Sequence, residues 1–418
     1  MNLEEIGRRV ALERSHAGMT QRDLAARAEL SQPTLHRIEA GERPALTAAE
    51  LDRLAVALDV PLTRLTRANP VGQRMRVAAR GGRSAAEDLS VATRTAEEIL
   101  TLDDRMDAFA LRSEHRGDVG GASLTCELPP ESLTAEDQGR GLARAVRGKL
   151  ELGLGPVANL AEFAESVVGV DTAVVDLPHL VSGFTATDPD RNVILVLVNS
   201  TNVPERQRFT LAHELGHVLF GDGSDAHLLD GERTHAETRC DAFARHLLLP
   251  EPGLARWMRE NAPDGPGLKE CALAAHHYEV SLRVVLIQCR RLGLLTDDAA
   301  KSLEGPTGRQ LAWSYGWGPQ YAAACGAASQ ARPPRRVLER AVEAYRAGKI
   351  GVRAVAALQG SEPNATALEL ADAGITPPPP PSPKRIDVST LIARRAGHRD
   401  GSTGQHSVRE RRDGDPWE

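Results

Sequence analysis

The sequence His213-Glu214-Leu215-Gly216-His217 constrains the fold of this chain more than any other stretch. On a helix, residues four apart project from the same face, so the two imidazoles can bind one metal ion. Glu214 lies about 100° around the helix from His213, within reach of a water at that metal without being a ligand. Two histidines on one helix face can also be ordinary surface residues, so the flanking sequence must separate the two interpretations.

The flanking sequence predicts a helix packed on a sheet. Residues 205–220 carry apolar side chains at helical spacing, and Gly221 can end that helix. Residues 192–198 form a short apolar, β-branched run that is typical of a buried strand. The runs 173–177 and 180–186 favour two earlier strands. We therefore expect a mainly antiparallel sheet with helices around it.

A zinc site of this kind needs a third protein ligand, and Glu237 is the candidate. Glu237 and Asp241 are four apart, on one face of a second predicted helix that ends at Pro250. Glu237 can supply an oxygen ligand, which gives a His₂Glu set for Zn²⁺ with an open fourth position. Asp241 can accept the N–H of a ligating imidazole and fix its orientation. The three-histidine pattern is excluded, because its third histidine would fall at Gly223.

Two other interpretations of this region are weaker. A structural zinc site is usually closed and four-coordinate, whereas here three ligands accompany an adjacent acid, Glu214. His227, His235 and His246 could stabilise an oxyanion, but no fixed spacing connects them to the motif. We interpret these three histidines as incidental.

The two segments resemble the ImmA/IrrE metallopeptidase family. Residues 208–221 read R-F-T-L-A-H-E-L-G-H-V-L-F-G. The later segment follows the family pattern E-x-x-A-N-x-F-A-x-x-L-L-M-P, with Cys240, Asp241 and Leu249 in place of its Ala, Asn and Met. Asp in place of Asn keeps the hydrogen-bond acceptor. The resemblance implies a compact, thermolysin-like (zincin-like) α+β zinc peptidase core, and proteolysis of a regulatory partner protein, often a repressor.

The beginning of the chain carries a second motif. Residues 3–66 divide into five short predicted helices, with Thr20 and Ser31 as the N-caps of the second and third. A three-residue turn joins these two helices into a helix-turn-helix. From Gln21 to Gly41 the sequence follows Q-x-x-L-A-x-x-A-x-L-S-Q-x-T-L-x-x-I-E-x-G, which resembles the phage-repressor (Xre/Cro-like) family.

The third helix is expected to enter the major groove of double-stranded DNA. Gln and Arg side chains can form bidentate hydrogen bonds with base edges, and the outer side of this helix presents Gln32, Thr34, His36 and Arg37. Gln21, at a helix N-terminus, can contact a phosphate. The segment has no marked excess of basic residues, so a small protein-binding domain is the alternative. One copy of such a domain binds DNA weakly, which predicts a homodimer on a palindromic operator.

Length and composition fit an intracellular protein with two functions. A chain of 418 residues accommodates two or three domains, and the net charge of −6 indicates no general attraction to membranes or polyanions. No apolar run approaches the length of about 18 residues that a membrane span needs, and the N-terminus lacks the form of a signal peptide. The five scattered cysteines favour reduced thiols. We expect a cytoplasmic protein with no membrane partner.

The chain is expected to be multidomain. In order, it should contain an all-α helix-turn-helix domain, a linker with a connecting helix, the α+β metallopeptidase domain, a helical C-terminal region and a Pro-rich, disordered tail. The expected boundaries of these parts are 1–67, 68–135, 136–300, 301–375 and 376–418. A second helix-turn-helix within residues 268–295 is less favoured than helices that buttress the peptidase.

The leading hypothesis is a DNA-binding transcriptional regulator with a zinc-dependent peptidase domain. His213, His217 and Glu237 would hold Zn²⁺, and Glu214 would take a proton from the water that attacks a peptide carbonyl. The substrate would be a regulatory partner protein. The alternative is a repressor or antitoxin whose peptidase-like domain senses a ligand or binds a toxin without turnover. Both hypotheses share every motif described above.

Overall fold

The computed structural model describes residues 3–60, 62–66, 70–78, 86–109, 124, 126–222 and 234–379. The predicted disordered tail falls almost wholly on residues 380–418, which lie outside the described residues. His227 also lies outside them, in the range 223–233. Within the described ranges, no helix combines the length and the apolar composition that crossing a membrane requires.

The N-terminal segment contains the five predicted helices. Thr20 and Ser31 are the N-caps of the second and third, because their hydroxyls accept the backbone N–H of Asp23 and Thr34. Gly7 brings the first helix close to the third, since a Cβ there would lie 2.1 Å from the carbonyl oxygen of Ile38. The helices are α1 (Leu3–His16), α2 (Gln21–Arg27), α3 (Gln32–Glu39), α4 (Ala48–Ala57) and α5 (Leu62–Thr66).

A four-stranded mixed sheet follows the short helix α6 (Pro70–Arg74). Its strands are β1 (Arg76–Ala78), β2 (Asp171–Val175), β3 (Gly183–Asp188) and β4 (Val193–Asn199), in the order β1-β3-β4-β2. Two pairings are antiparallel, as the predicted sheet required, while β2 runs parallel to β4. The three predicted strands are present with ends shifted by one to three residues, and β1 was not predicted.

Helices cover both faces of this sheet. Alternate residues of β4 face opposite sides, so Val196 and Val198 join one apolar core while Leu195 and Leu197 join another. The helices are α7 (Ala86–Asp107), α8 (Ala135–Lys149), α9 (Leu160–Phe163) with a π-helical turn (Ala164–Val168), α10 (Pro204–Phe220), α11 (His235–Leu248), α12 (Glu251–Asn261), α13 (Leu268–Tyr278), α14 (Leu282–Arg291), α15 (Asp297–Leu303), α16 (Gly308–Tyr315), α17 (Gly318–Ala328), α18 (Arg335–Arg346), α19 (Val352–Gln359) and α20 (Pro363–Asp372).

The first of these cores contains α8 and α10 to α14. Cys271 of α13 and Cys289 of α14 are fully buried in it together with Phe243 of α11. These helices therefore buttress the motif helix, in agreement with the favoured interpretation of residues 268–295. The second core contains α7 and α18 to α20 on the other face of the sheet. The predicted domain boundaries stay predictions. In the structure, α7 and α18 to α20, which lie outside the predicted peptidase boundaries, share an apolar core with the sheet.

A buried ion cluster joins α7 and α18 to the sheet. Arg336 of α18 bonds Asp103 of α7 (Nη1–Oδ1 2.9 Å) and Asp171 of β2 (Nε–Oδ1 3.1 Å). Asp103 is fully buried, and burial alone would raise its pKa. The charges of Arg336, Arg191 and Arg340 outweigh burial, so the pKa of Asp103 lies below its ordinary value. The cluster thus holds a buried carboxylate in its charged form.

A second ion cluster joins the helix-turn-helix segment to α7. Arg64 of α5 bonds Glu13 of α1 (Nε–Oε1 2.6 Å) and also pairs with Glu97 of α7. All three side chains are largely buried. Nearby, Arg94 of α7 donates to the carbonyl oxygen of Asp59 at 3.1 Å. Helix α7 therefore contacts both the helix-turn-helix segment and the sheet.

We expect Arg336→Met to lower the free energy of unfolding by about 3–5 kcal/mol, because Asp103 and Asp171 would each lose a buried counter-ion. The matched control is Arg335→Met, which removes a half-exposed guanidinium paired to Glu339 within one helix and should cost less than about 1 kcal/mol. Urea denaturation of the full chain measures both. Equal losses for the two variants would show that the buried cluster does not hold α18 in place.

Candidate metal centre

Helix α10 places the histidine motif in its C-terminal half. Leu211 and Leu215 are buried in the first apolar core. Their burial fixes which side of α10 faces that core and which side faces away from it. Gly221 ends the helix with φ 76°, a conformation that glycine adopts without strain. Its observed start at Pro204 lies one residue before the predicted one, so the sequence located this helix closely.

Three potential ligand atoms converge between α10 and α11. The Nε2 atoms of His213 and His217 are 3.2 Å apart. Glu237 lies 3.4 Å from His213 Nε2 through Oε2 and 3.8 Å from His217 Nε2 through Oε1. A tetrahedral zinc ion with bonds of about 2.0–2.1 Å requires ligand atoms about 3.3 Å apart. The observed spacing therefore fits one ion held by the three predicted residues.

Close helix packing brings Glu237 to the two histidines. Gly216 faces α11, and a Cβ there would lie 3.1 Å from Cδ1 of Phe243 and 3.3 Å from Cα of Cys240. Thr234 caps α11 by accepting the backbone N–H of Glu237 at 3.2 Å, which sets that residue in the first turn. A larger residue at position 216 would push the ligand away from the histidines.

A carboxylate holds each imidazole from behind. His213 Nδ1 lies 2.9 Å from Asp241 Oδ1, and His217 Nδ1 lies 3.0 Å from Asp222 Oδ2. With the proton on Nδ1, each imidazole would donate to its carboxylate and leave the Nε2 lone pair available for a metal ion. Asp222 was missed by sequence reasoning. The available signal was an acid directly after the glycine that ends α10, where the chain turns back so that Asp222 N–H bonds His217 O at 3.0 Å.

Arg239 keeps Asp222 charged. Burial alone would raise the pKa of Asp222, but the hydrogen bond from His217 and the ion pair with Arg239 outweigh it, so its pKa lies below the ordinary value. The Arg239 guanidinium lies 4.4 Å from the centre of the Phe220 ring, which holds it in position. Cys240 Sγ lies 3.8 Å from Asp222 Oδ2, so His217, Asp222 and Cys240 form a second cluster of ligand-type atoms. The engagement of Asp222 with His217 Nδ1 and Arg239 favours an orienting role over a ligand role.

Glu214 is buried between α10 and β3. Its Oε2 accepts a hydrogen bond from Thr185 Oγ1 of β3 at 2.5 Å. Gly183 allows β3 to approach, because a Cβ there would lie 2.2 Å from Cγ2 of Thr210 and 3.5 Å from Cγ of Glu214. Thr185 was also missed, since a threonine in a buried strand has no sequence signal that separates it from ordinary packing. The strand thus orients the acid that the motif places beside the metal ligands.

His235 and His246, the two of the three incidental histidines that the structure describes, take no part in this cluster. His235 is exposed at the start of α11. His246, near the other end of α11, is buried and lies 3.1 Å from Glu136 Oε1 through Nε2. Burial lowers the pKa of His246 against the opposing effect of Glu136. These positions agree with the incidental interpretation.

The predicted DNA-contacting residues lie on the surface of α2 and α3. Gln32, His36 and Arg37 are exposed, while Thr34 is half-buried. The hydroxyl of Thr34 lies 2.7 Å from Ser31 Oγ, which supports the cap of α3. Gln21 donates from Nε2 to Glu39 Oε2 at 2.7 Å, so its side-chain amide is held inside the domain. Contact between these residues and DNA stays a prediction.

Comparisons with known proteins agree with both halves of this description. Residues 5–68 match a family model described as a helix-turn-helix domain, and residues 173–290 match one described as an IrrE N-terminal-like domain. The chain is 46% identical over 110 residues to the radiation response metalloprotease IrrE of Deinococcus radiodurans, which covers 24% of this chain and 33% of that protein. It is 37% identical over 133 residues to the protein of the same name from Deinococcus deserti, covering 28% and 46%.

These matches confirm the two resemblances drawn from the motifs. The chain carries a helix-turn-helix domain followed by an IrrE-like metallopeptidase domain. The matched region spans between a third and about half of each relative. The metal-centre residues all lie within the segment that matches the IrrE-like domain.

We expect Asp222→Ala to weaken Zn²⁺ binding about 10–100-fold, because His217 would lose the acceptor that orients its ring. Asp222→Asn is the matched control: its amide oxygen still accepts from Nδ1, so the loss should be smaller. Competition with a chromophoric chelator gives the affinity of each folded variant. An affinity equal to that of the unsubstituted chain in Asp222→Ala would mean that other contacts orient His217.

Proposed function

We propose, from a helix-turn-helix domain joined to an IrrE-like metallopeptidase domain, that this chain is a DNA-binding regulator that hydrolyses peptide bonds of a regulatory partner protein with a Zn²⁺ ion. The observation that carries the proposal is the convergence of His213, His217 and Glu237, with the acid Glu214 next to His213 in the sequence. A His₂Glu set with an open fourth position is the arrangement of hydrolytic zinc sites.

In this proposal the three ligands and their carboxylate partners form the metal centre. His213, His217 and Glu237 hold the ion, while Asp241 and Asp222 keep both imidazoles in the tautomer that presents Nε2. A bound Zn²⁺ would act as a Lewis acid, polarising the peptide carbonyl and lowering the pKa of water. The two acids behind the rings also increase the basicity of the imidazoles, which strengthens their hold on a cation.

Glu214 is the proposed general base. It adjoins His213 in the sequence, and its carboxylate is not among the ligand atoms that converge at the candidate site. The hydrogen bond from Thr185 fixes its orientation. Glu214 takes the proton of the attacking water and passes it to the leaving amine when the peptide bond breaks.

The proposed partners are an operator DNA and a regulatory protein. The names of the two relatives describe them as metalloproteases, which supports turnover in this chain. The helix-turn-helix domain supports binding of double-stranded DNA, with Gln32, Thr34, His36 and Arg37 at base edges and Gln21 near the backbone. Two copies on a palindromic operator would supply the affinity that one domain lacks.

Turnover is tested with the zinc-loaded full chain and a lysate of the cells that produce it. New protein N-termini, identified by mass spectrometry, should appear with the unsubstituted chain and fall by a factor of about 10²–10⁴ with Glu214→Gln, because the proton acceptor is lost. Zinc content should be equal in both proteins, which separates a catalytic from a metal-binding defect. If Glu214→Gln yields the same cleavages, or if neither protein yields any, the output is not hydrolysis and the repressor or antitoxin hypothesis replaces it.

DNA reading is tested on the promoter region of the chain's own gene. We expect Gln32→Ala and Arg37→Ala each to cost about 1–3 kcal/mol of binding free energy, because each removes a side chain that can bond a base edge. Arg105→Ala, an exposed arginine of α7 outside the DNA-binding segment, is the control and should bind normally. Electrophoretic mobility shifts give the affinities. Unaltered binding by both α3 variants would rule out α3 as the reading helix.

A further inference from the structure

A cavity of about 760 Å³ lies between α8 and the C-terminal end of α11. Three arginines of α8 line it, at positions 140, 144 and 147. Residues three and four apart share one side of a helix, so the three side chains lie on the same face. Among the described residues that line the cavity, none belongs to the candidate metal centre. Its volume is that of a site for a small organic molecule.

Arg147 is a buried cation whose partners are all uncharged. Its guanidinium donates to the carbonyl oxygens of Gly153 (2.9 Å), Gly155 (2.6 Å) and Leu247 (2.5 Å). Its side chain is 6% exposed, and no carboxylate pairs with it in the part of the chain that the structure describes. Burial lowers the pKa of Arg147, as expected for a charge removed from water. A guanidinium nevertheless stays protonated at neutral pH, so the buried charge persists.

Two of the other charged side chains in the cavity are neutralised from outside it. Arg140 bonds Asp137 at 2.6 Å and also lies 3.9 Å from Glu251, while Glu251 bonds Arg291 at 3.1 Å. Neither Asp137 nor Arg291 lines the cavity. These pairs therefore leave the charge of the cavity to its remaining members.

The remaining members are two cations and one anion. Arg144 is exposed and, within the described ranges, makes no ion pair. Arg147 has only carbonyl partners. Glu151 is an exposed carboxylate that also lines the cavity and offsets one of the two positive charges. One positive charge is thus left over beside a guanidinium that has lost its hydration. An anionic ligand would compensate it.

We propose that this cavity binds a small molecule that carries a phosphate or polyphosphate group. Guanidinium groups bind phosphate oxygens through paired N–H donors, which favours phosphate over a simple carboxylate. The concave shape favours a small ligand over the surface of a DNA duplex. Such a ligand would contact His246 near the end of α11, the helix that supplies Glu237 to the metal centre. The inference is independent of whether the metal centre turns over.

Isothermal titration of the full chain with ATP, and separately with pyrophosphate, tests the site. We expect ATP to bind, and Arg144→Glu to weaken that binding at least about tenfold, because a charge-assisted bond becomes a repulsion. Arg283→Glu is the matched control. Arg283 is also exposed, makes no ion pair among the described residues and lies on α14 outside the cavity. Its reversal changes the net charge equally and should leave ATP binding within about twofold.

Three results would overturn the proposal. The first is that neither ligand binds the unsubstituted chain. The second is that both charge reversals weaken ATP binding equally, which would indicate diffuse electrostatic attraction. The third is that Arg144→Glu weakens retention of duplex DNA while ATP binding is unchanged, which would assign the cavity to the DNA interface. Pyrophosphate binding as tight as that of ATP, with the same sensitivity to Arg144→Glu, would support the proposal and place the recognition in the phosphates alone.

Discussion

The candidate metal centre depends on how closely α11 approaches α10. The two histidines come from one helix, but the third ligand comes from another, so the backbone separation of the two helices decides whether a single ion can meet all three. Gly216 permits the approach on one side of α11. On another side of α11, Gly139 permits the close approach of α8, since a Cβ at position 139 would lie 2.2 Å from the carbonyl oxygen of Arg239. Helix α11 is therefore packed between two helices that meet it through glycine, and Glu237 has little freedom to move.

The two imidazoles are oriented by different structural devices. Asp241 reaches His213 from the helix that also supplies Glu237, so one element fixes a ligand and the orientation of another. Asp222 reaches His217 only because the chain reverses at Gly221, and Arg239 of α11 then holds that carboxylate in its charged form. Both devices return to α11. The same helix packing that brings Glu237 to the histidines therefore also positions the groups that orient both rings.

Much of this arrangement could be predicted from the sequence. Helical periodicity located α10 within one residue at its start, and two pairs of residues four apart identified four residues that the structure brings together. Thr185 and Asp222 could not be found this way, because one contact depends on the approach of β3 to α10 and the other on a left-handed turn. The packing of α7 and α18 on the far face of the sheet was equally hidden. Arg336 and Asp103 are 233 positions apart, and no local pattern announces such a pair.

The burial of Glu214 bears on the choice between turnover and a passive metal site. Removing a carboxylate from water is costly, and an apolar residue at this position would stabilise the helix packing as well or better. A chain that used the metal only to hold α10 and α11 together would gain nothing from this acid. Here, however, β3 approaches α10 closely at Gly183, and the hydroxyl of Thr185 donates a hydrogen bond that orients the Glu214 carboxylate. An oriented acid next to a ligand-type histidine has a physical use in proton transfer to and from a reacting water, if these side chains hold a metal ion as proposed. The arrangement around Glu214 therefore favours hydrolysis over sensing as the role of this domain.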